Sequence, residues 1–189
     1  MRLHGVVMLT LLPAAAACTP DPTSRDTSSV GATTSALDAT AAGFEGVGRL
    51  RAGMRTHEAL AAIGGAIDTS GGTLPGSRCS YANFSALPPG TAVMLWGDTV
   101  VRIDVDSATI RTRWGTGVGS SIREIRERHT AQDVRQELHP YSAPTWHYVV
   151  ADQPGDTVYR IIFETNPEQR VHSYRVGFRR AVDLIEGCS

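Results

Sequence analysis

The clearest structural pattern in the sequence is the stretch Thr91-Ala-Val-Met-Leu-Trp-Gly-Asp-Thr-Val-Val-Arg-Ile-Asp-Val105. It contains two runs rich in β-branched and apolar residues, and the Gly97-Asp98 pair between them is typical of a tight hairpin turn. In the second run, apolar residues alternate with Arg102 and Asp104. This alternation predicts a strand with one face in a core. The stretch therefore predicts an antiparallel hairpin at the centre of a sheet.

Further strand-like runs lie on both sides of this hairpin. Composition and alternation predict strands at Arg78–Phe84, Thr91–Trp96, Thr99–Val105, Thr109–Trp114, Thr145–Ala151, Thr157–Glu164, Arg170–Phe178 and Val182–Ile185. The apolar residues of the run that begins at Arg170 do not alternate cleanly. We therefore expect a β-bulge near His172 or Ser173.

Two short helices are predicted, each after a turn that contains glycine. Ser121 followed three residues later by Glu124 forms a capping-box pattern. In the earlier helix, Thr56 is the expected N-cap and Gly64 the expected end. Helices this short are not stable alone, so both must pack against the sheet.

The stretches around the two helices can be aligned with each other. Gly53 aligns with Gly119, Glu58 aligns with Glu124, and strand-like runs follow each helix. Such self-similarity is typical of a repeated unit. The sequence therefore predicts an α+β fold with two tandem copies of a short helix followed by antiparallel hairpin strands, in residues 44–111 and 112–189. The helices are expected to pack on one side of the sheet.

Residues 1–17 have the composition of a secretory signal peptide. Arg2 precedes the apolar run Val6–Leu12, and small residues lead to Cys18. This run is too short to span a bilayer as a helix. Residues 18–43 are rich in Thr, Ala and Ser and contain no aromatic residue, which predicts a disordered linker. Residues 44–189 then form one globular domain.

The small residues Ala15-Ala16-Ala17 before Cys18 resemble the lipobox of bacterial lipoproteins. The resemblance implies that Cys18 carries lipid, including palmitate, and that the chain is exported and anchored to the cell envelope. In such lipoproteins, an Asp directly after the cysteine retains the protein at the inner membrane. This chain has Thr19 at that position, which favours the outer membrane. The domain would then lie in the periplasm or at the surface. The lipobox prefers Leu where Ala15 stands, so ordinary cleavage by the general signal peptidase is the alternative.

The cysteine count supports lipidation and predicts a disulfide. The chain contains three cysteines, Cys18, Cys79 and Cys188, and an odd number in a secreted chain leaves one thiol unexplained. If Cys18 carries lipid, the other two can form a pair, and disulfides persist outside the cytoplasm. We therefore predict a Cys79–Cys188 bridge. Two buried free thiols are the alternative.

Charge and motifs restrict the function classes. The 18 basic residues are all Arg and nearly balance 19 acidic residues, so nucleic acid is not an expected partner. Without Lys, no side-chain Schiff base can form. The histidines lack metal-site spacing, the glycines of 115–121 do not match a phosphate-binding loop, and no nucleophile elbow is present. We therefore expect no catalytic residues, no metal and no cofactor.

Aromatic residues supply the candidate binding residues, since aromatic side chains and Arg are enriched at protein interfaces. A Pro-flanked loop carries the first group, and a second, weaker candidate lies before the second helix. The candidates are Tyr141, Trp146, Tyr148, Trp114 and Arg113. The alternative is that Trp146 and Tyr148 form the core face of a strand.

The turn Gly53-Met54, followed by a helix that contains Glu58 and then by hairpin strands, is distantly similar to the β-lactamase inhibitory protein and SmpA/OmlA lipoprotein families. Members of these families mostly bind other proteins. The resemblance implies a non-catalytic scaffold or inhibitor module that binds an envelope protein. Two alternatives stay open: a module for a small ligand such as a glycan or peptide, and an uncharacterised hydrolase.

Overall fold

The computed structural model describes residues 40–69 and 76–188. Cys18, the predicted signal peptide and residues 18–39 of the predicted linker lie outside the described residues. Residues 40–43 are described, and Ala42 is fully buried within a short strand.

The described residues form mostly strands, joined by turns. The strands are β1 (Ala42–Gly43), β2 (Gly46–Val47), β3 (Leu50–Arg51), β4 (Ile67–Asp68), β5 (Cys79–Phe84), β6 (Thr91–Trp96), β7 (Thr99–Val105), β8 (Asp133–Leu138), β9 (His147–Asp152), β10 (Tyr159–Thr165) and β11 (Val171–Phe178). The helices are α1 (Thr56–Ile63), α2 (Ile122–Arg128) and α3 (Arg179–Val182).

The strands β4 to β11 build one eight-stranded sheet in the order β4-β5-β6-β7-β11-β10-β9-β8. Most neighbours in this sheet follow one another along the chain and pair antiparallel. The central pair is different, because β7 and β11 are far apart in sequence and place Ile103 opposite Val176. The short strands β1, β2 and β3 form a separate three-stranded sheet.

The predicted fold class was wrong. Strands occupy 42% and helices 13% of the structure, so the fold is mostly β and does not consist of two helix-and-hairpin units in residues 44–111 and 112–189. The strands of both stretches join in one continuous sheet because β7 and β11 pair at its centre. The sequence pattern identified the local elements but could not show this long-range pairing.

The helices also do not share one side of the sheet. Ala59 of α1 and Ile125 of α2 pack in the main core with Ile103; we call this side of the sheet the first face. Ala181 of α3 packs instead with Met94, which alternates with the core residues of β6. The second face thus has its own apolar residues, and α3 covers part of them.

Several local predictions were confirmed. The hairpin strands β6 and β7 have the predicted bounds. The predicted bulge lies at His172, because Glu164 pairs with Ser173 and the next residue, Thr165, pairs with Val171. The α2 capping box is present, since the Ser121 backbone N–H donates to the Glu124 carboxylate at 2.7 Å.

Other local predictions were wrong. The N-cap of α1 is Arg55 and not Thr56, although Gly64 does end the helix. Residues 109–114 form turns and isolated bridges in place of a strand. The predicted strand Val182–Ile185 is absent because Val182 is the last residue of α3. The polar strand β8 was not predicted.

The C-cap of α2, His129, is buried between aromatic rings. Its ring centroid lies 4.6 Å from that of Trp114 and 5.6 Å from that of Phe163. The Nε2 atom of His129 lies 2.8 Å from the Thr116 hydroxyl, while Nδ1 has no hydrogen-bond partner among the described residues. Burial lowers the pKa of His129 to about 4, so the native state holds this imidazole neutral.

Acidification should therefore destabilise the domain through His129. The unfolded chain takes up a proton near the ordinary histidine pKa of about 6.5, whereas the native state does not until about pH 4. Since the unfolded state binds more protons in this window, the free energy of unfolding falls as the pH falls. We expect a loss of about 2 kcal/mol between about pH 7 and pH 5. Urea unfolding of the wild type and of His129→Gln at both pH values measures it, and an equal pH dependence in the two chains would contradict it.

Candidate binding groove

Residues 179–188, which we call the C-terminal arm, lie on the second face of the sheet. The arm begins with α3 and continues through turns to Cys188. Cys188 is bonded to Cys79 of β5, with their Cα atoms 5.3 Å apart. The predicted Cys79–Cys188 disulfide is confirmed. It fastens the end of the arm to a strand of the sheet.

Arg102 of β7 holds the middle of the arm. This side chain is buried, and its Nη1 atom donates to the backbone oxygens of Ala181, at 3.0 Å, and Leu184, at 2.6 Å. Its Nε atom donates to Asp104 at 2.9 Å, and Nη2 donates to the Tyr81 hydroxyl at 2.8 Å. Ala181 lies in the last turn of α3 and Leu184 follows the helix, where backbone oxygens have no partner four residues further along a helix.

A second buried arginine supports the same helix. The Nε atom of Arg175 donates to the backbone oxygen of Val182 at 2.6 Å, and its guanidinium carbon lies 4.9 Å from the centre of the Tyr148 ring. Burial raises the pKa of Tyr81, on the far side of Arg102, to about 12. Burial also raises the pKa of Tyr148. Both tyrosines therefore remain neutral near neutral pH, and they pack beside the arginines as uncharged partners.

Asp152 of β9 forms ion pairs with three arginines. Arg135 lies 2.5 Å away, Arg160 2.8 Å and Arg179 of the arm 3.1 Å. Burial raises the pKa of Asp152, but hydrogen bonds from Arg160 and Arg135 outweigh that effect and lower it below its usual value. The carboxylate thus stays ionised near neutral pH and links the arm to two strands.

An apolar groove with a volume of about 690 Å³ lies beside the arm. Apolar side chains from β6, β7, β11, the turn before β10 and the arm line most of it; among them are Met94, Trp96, Val101, Val158, Phe178 and Leu184. Trp96 and Val158 are each 49% exposed and Leu184 is 43% exposed. The groove therefore presents large apolar side chains to solvent.

The positions of these side chains follow from strand geometry. Side chains of alternate residues in a strand lie on the same face, so Met94 and Trp96 both lie on the second face. Trp96 is opposite Cys79 in the β5–β6 ladder, which places it next to the disulfide. The ladder between β6 and β7 shifts register at Met94 and Leu95. Val101 is the extra residue there, and it joins the groove.

A positively charged side chain, that of Arg180, lies at the rim of the groove. Arg180 of α3 is exposed and lines the groove, and it makes no hydrogen bond or ion pair within the described part of the chain. Its neighbour Arg179 instead donates to the backbone oxygen of Asp156 at 2.9 Å. The groove thus combines an apolar floor with an available positive charge.

Three of the predicted binding residues lie around His139, away from the groove. Tyr148 is buried beside His139, at a ring distance of 4.7 Å, so the core alternative holds for this residue. Trp146 is half-buried, with its ring 5.5 Å from that of His172. Tyr141 is 67% exposed, and its hydroxyl donates to Glu186 at 2.7 Å. These residues surround His139, outside the groove.

The other two predicted residues lie elsewhere. Trp114 packs on Phe44 in the main core, with ring centroids 5.2 Å apart. Arg113 pairs with Glu45 at 3.0 Å. The five predicted residues therefore do not form one patch.

Trp96 of the groove was not predicted from the sequence. It lies next to the Gly97 turn and two residues after Met94, so it lies on the same face of the strand as Met94, and this position was a usable signal.

The described residues offer no metal site of the usual kind, since no three His, Cys, Asp or Glu side chains among them are grouped to hold an ion. None of the helices described has the length and apolar composition needed to cross a bilayer.

The lipoprotein and inhibitor-type resemblances noted in the sequence stay predictions. Among known proteins, no family model, no curated protein and no solved structure matches this chain.

Proposed function

We propose that this domain is a non-catalytic protein-binding module, of scaffold or inhibitor type, and that the groove beside the C-terminal arm is its contact surface. The main support for this function is that exposed apolar side chains cluster in the groove. Of the five large hydrophobic residues found exposed among the described residues, three lie in this groove: Trp96, Val158 and Leu184. Contiguous exposed apolar surface marks interaction sites, and Trp is enriched among residues that dominate binding energy.

The groove is also held in shape before any partner arrives. The disulfide of Cys79 with Cys188 and the hydrogen bonds of Arg102 fix the arm that forms one wall. A preformed surface loses less conformational entropy on association than a mobile one. This supports a role in specific binding.

We further propose that the chain is exported and anchored to the cell envelope, with the outer membrane favoured, by lipid on Cys18. The disulfide supports export, since such bonds persist in oxidising compartments. The binding partner is then an envelope protein. Mass spectrometry of the processed amino terminus tests the anchor, and an unmodified Cys18 thiol would contradict it.

Replacing Trp96 by Ala should weaken partner binding strongly. A central aromatic residue of an interface contributes about 2 kcal/mol or more, which corresponds to a roughly thirtyfold loss of affinity. Capture from envelope extracts with the immobilised chain, quantified by mass spectrometry, identifies the partner. The dissociation constants of wild type and variant for that partner then measure the loss.

Tyr141→Ala is the matched control for this experiment. Tyr141 is also an exposed aromatic residue, at 67%, but it lies outside the groove. We expect this variant to bind as the wild type does. Equal binding by Trp96→Ala and the wild type would contradict the groove as contact surface. Loss of binding in Tyr141→Ala alone would assign the contact to the loop around His139.

A small-ligand module is the second candidate, and the size of the groove favours it. A volume of about 690 Å³ lies within the range of about 300 to 1,000 Å³ found for small-molecule sites. A ligand at about one hundred times its dissociation constant stabilises a native protein by about 2.7 kcal/mol. Thermal-shift screening with glycans and short peptides detects such an effect. A clear shift that Trp96→Ala abolishes, together with no captured protein, would favour this function.

A further inference from the structure

Strand β8 is an edge of the large sheet. Among the described strands it pairs with β9 alone, and five of its six residues are exposed. The backbone N–H and C=O groups along such a free edge are a template for pairing with another strand. Leu138, at the end of β8, is 60% exposed.

The ladder with β9 shows which backbone groups of β8 face outward. The N–H of His139, just after β8, donates to the Trp146 oxygen at 3.0 Å, in the same register as the ladder. Successive residues of a strand direct their backbone groups to alternate edges. Val134, Gln136 and Leu138 therefore direct their N–H and C=O groups away from β9, toward the free edge.

The side chains around Gln136 are self-complementary. On either side of Gln136 stand Arg135 and Glu137, of opposite charge, and beyond them stand the apolar residues Val134 and Leu138. We propose that two copies of this chain pair through β8, antiparallel and centred on Gln136. Arg135 then lies opposite Glu137 of the second copy, and Val134 lies opposite Leu138 of the second copy.

The proposed register also satisfies the backbone. The residues that face one another, Val134 with Leu138 and Gln136 with its own copy, are those with outward-directed N–H and C=O groups. Each such pair can exchange two hydrogen bonds, as in any antiparallel ladder. The two eight-stranded sheets would continue into each other across this edge.

Neighbouring registers are disfavoured by charge. Centring the pair on Arg135 would place two arginines opposite each other, and centring it on Glu137 would place two glutamates opposite each other. Like charges directly opposite in a sheet are destabilising, and opposite charges are stabilising. Within its own chain Arg135 already pairs with Glu137, at 2.6 Å, and with Asp152 of β9, at 2.5 Å. The Glu137 carboxylate of the second copy would join this network from the free edge.

This dimer leaves the apolar groove open. The groove lies at β6, β7, β11, the turn before β10 and the arm, and β8 is two strands from β10, or about 10 Å across the sheet. The proposal therefore does not depend on the proposed function. If both hold, a dimer presents two grooves.

Sedimentation velocity over a range of concentrations tests the proposal with the full chain. We expect the wild type to show a reversible monomer–dimer equilibrium. In Arg135→Glu and in Glu137→Arg, both symmetry-related ion pairs become repulsive, and the dimerisation constant should weaken roughly tenfold or more. An equimolar mixture of the two variants should regain association, because each reversed charge then faces its opposite. Circular dichroism melting confirms that each variant is folded.

Amide hydrogen exchange by NMR supplies an independent measurement. The amides of Val134, Gln136 and Leu138 should become protected as the concentration rises, while that of Trp96 should not respond. A wild type that remains monomeric at the highest concentrations would overturn the proposal. Dimerisation of both single variants at wild-type strength would overturn it as well, and so would a mixture that associates no better than its components.

Discussion

Replacing Cys188 by Ser lowers the free energy of unfolding by up to about 4.7 kcal/mol, the value that the chain-entropy model gives for a loop of roughly 100 residues. The Cys79–Cys188 bond joins residues 109 positions apart, so it constrains most of the described chain in the unfolded state. Without it, the unfolded ensemble gains conformational entropy while the native packing around Met94 and Ala181 is weakened. Guanidinium unfolding followed by tryptophan fluorescence measures the change.

The third cysteine supplies the control for this experiment. Cys18→Ser also removes a sulfur atom, but Cys18 is not a partner in the Cys79–Cys188 bridge. This variant should therefore leave the unfolding midpoint unchanged. The double variant Cys79→Ser/Cys188→Ser should behave like the single variant, since either change removes the same bond. An unfolding midpoint of Cys188→Ser equal to that of the wild type would contradict a structural role for the bridge.

Replacing Arg102 by Met is expected to lower the free energy of unfolding by about 4 kcal/mol, within the range found when one partner of a buried ion pair is removed. Methionine keeps the length of the apolar stem but donates no hydrogen bond. The backbone oxygens of Ala181 and Leu184 then lose their Arg102 donor, and Asp104 loses its ion pair. Urea unfolding measures the stability, and hydrogen exchange in residues 181–188 reports on the arm.

Arg123→Met is the matched control for Arg102→Met. Arg123 also pairs with a carboxylate, that of Glu127, but its side chain is 80% exposed. Surface pairs of this kind contribute about 0.5 kcal/mol. We therefore expect a small loss in Arg123→Met and no change of exchange in the arm. Equal losses in the two variants would mean that Arg102 does not hold the arm in place.

Features fixed by neighbouring residues could be predicted from the sequence. The Gly97-Asp98 turn and the alternation after it define β6 and β7, and the irregular pattern around His172 indicated the bulge. The capping box at Ser121 fixed the start of α2. In each case the interactions that decide the structure lie within a few residues, so the local pattern was sufficient.

Features fixed by distant contacts could not be predicted in this way. Val182 belongs to a helix turn and not to a strand, because the arm is held by Arg102 and Arg175 from the sheet below it. Strand β8 was missed because an exposed edge strand needs no regular apolar alternation. The candidate site was misplaced for a related reason. Tyr148 lies in the core, whereas Trp96, in a strand of similar pattern, faces the groove.

The pairing of β7 with β11 also affects the order in which the strands of the sheet pair during folding. Every other neighbouring pair in the large sheet is formed by strands that follow each other along the chain, and such hairpins form within microseconds. Joining Ile103 to Val176 requires closure of a loop of roughly 70 residues, whose entropic cost must be met before the contact forms. We therefore expect this closure to be the slowest of the strand pairings in the large sheet. The two halves of the sheet can join only when β11, the last of its strands in the chain, is present.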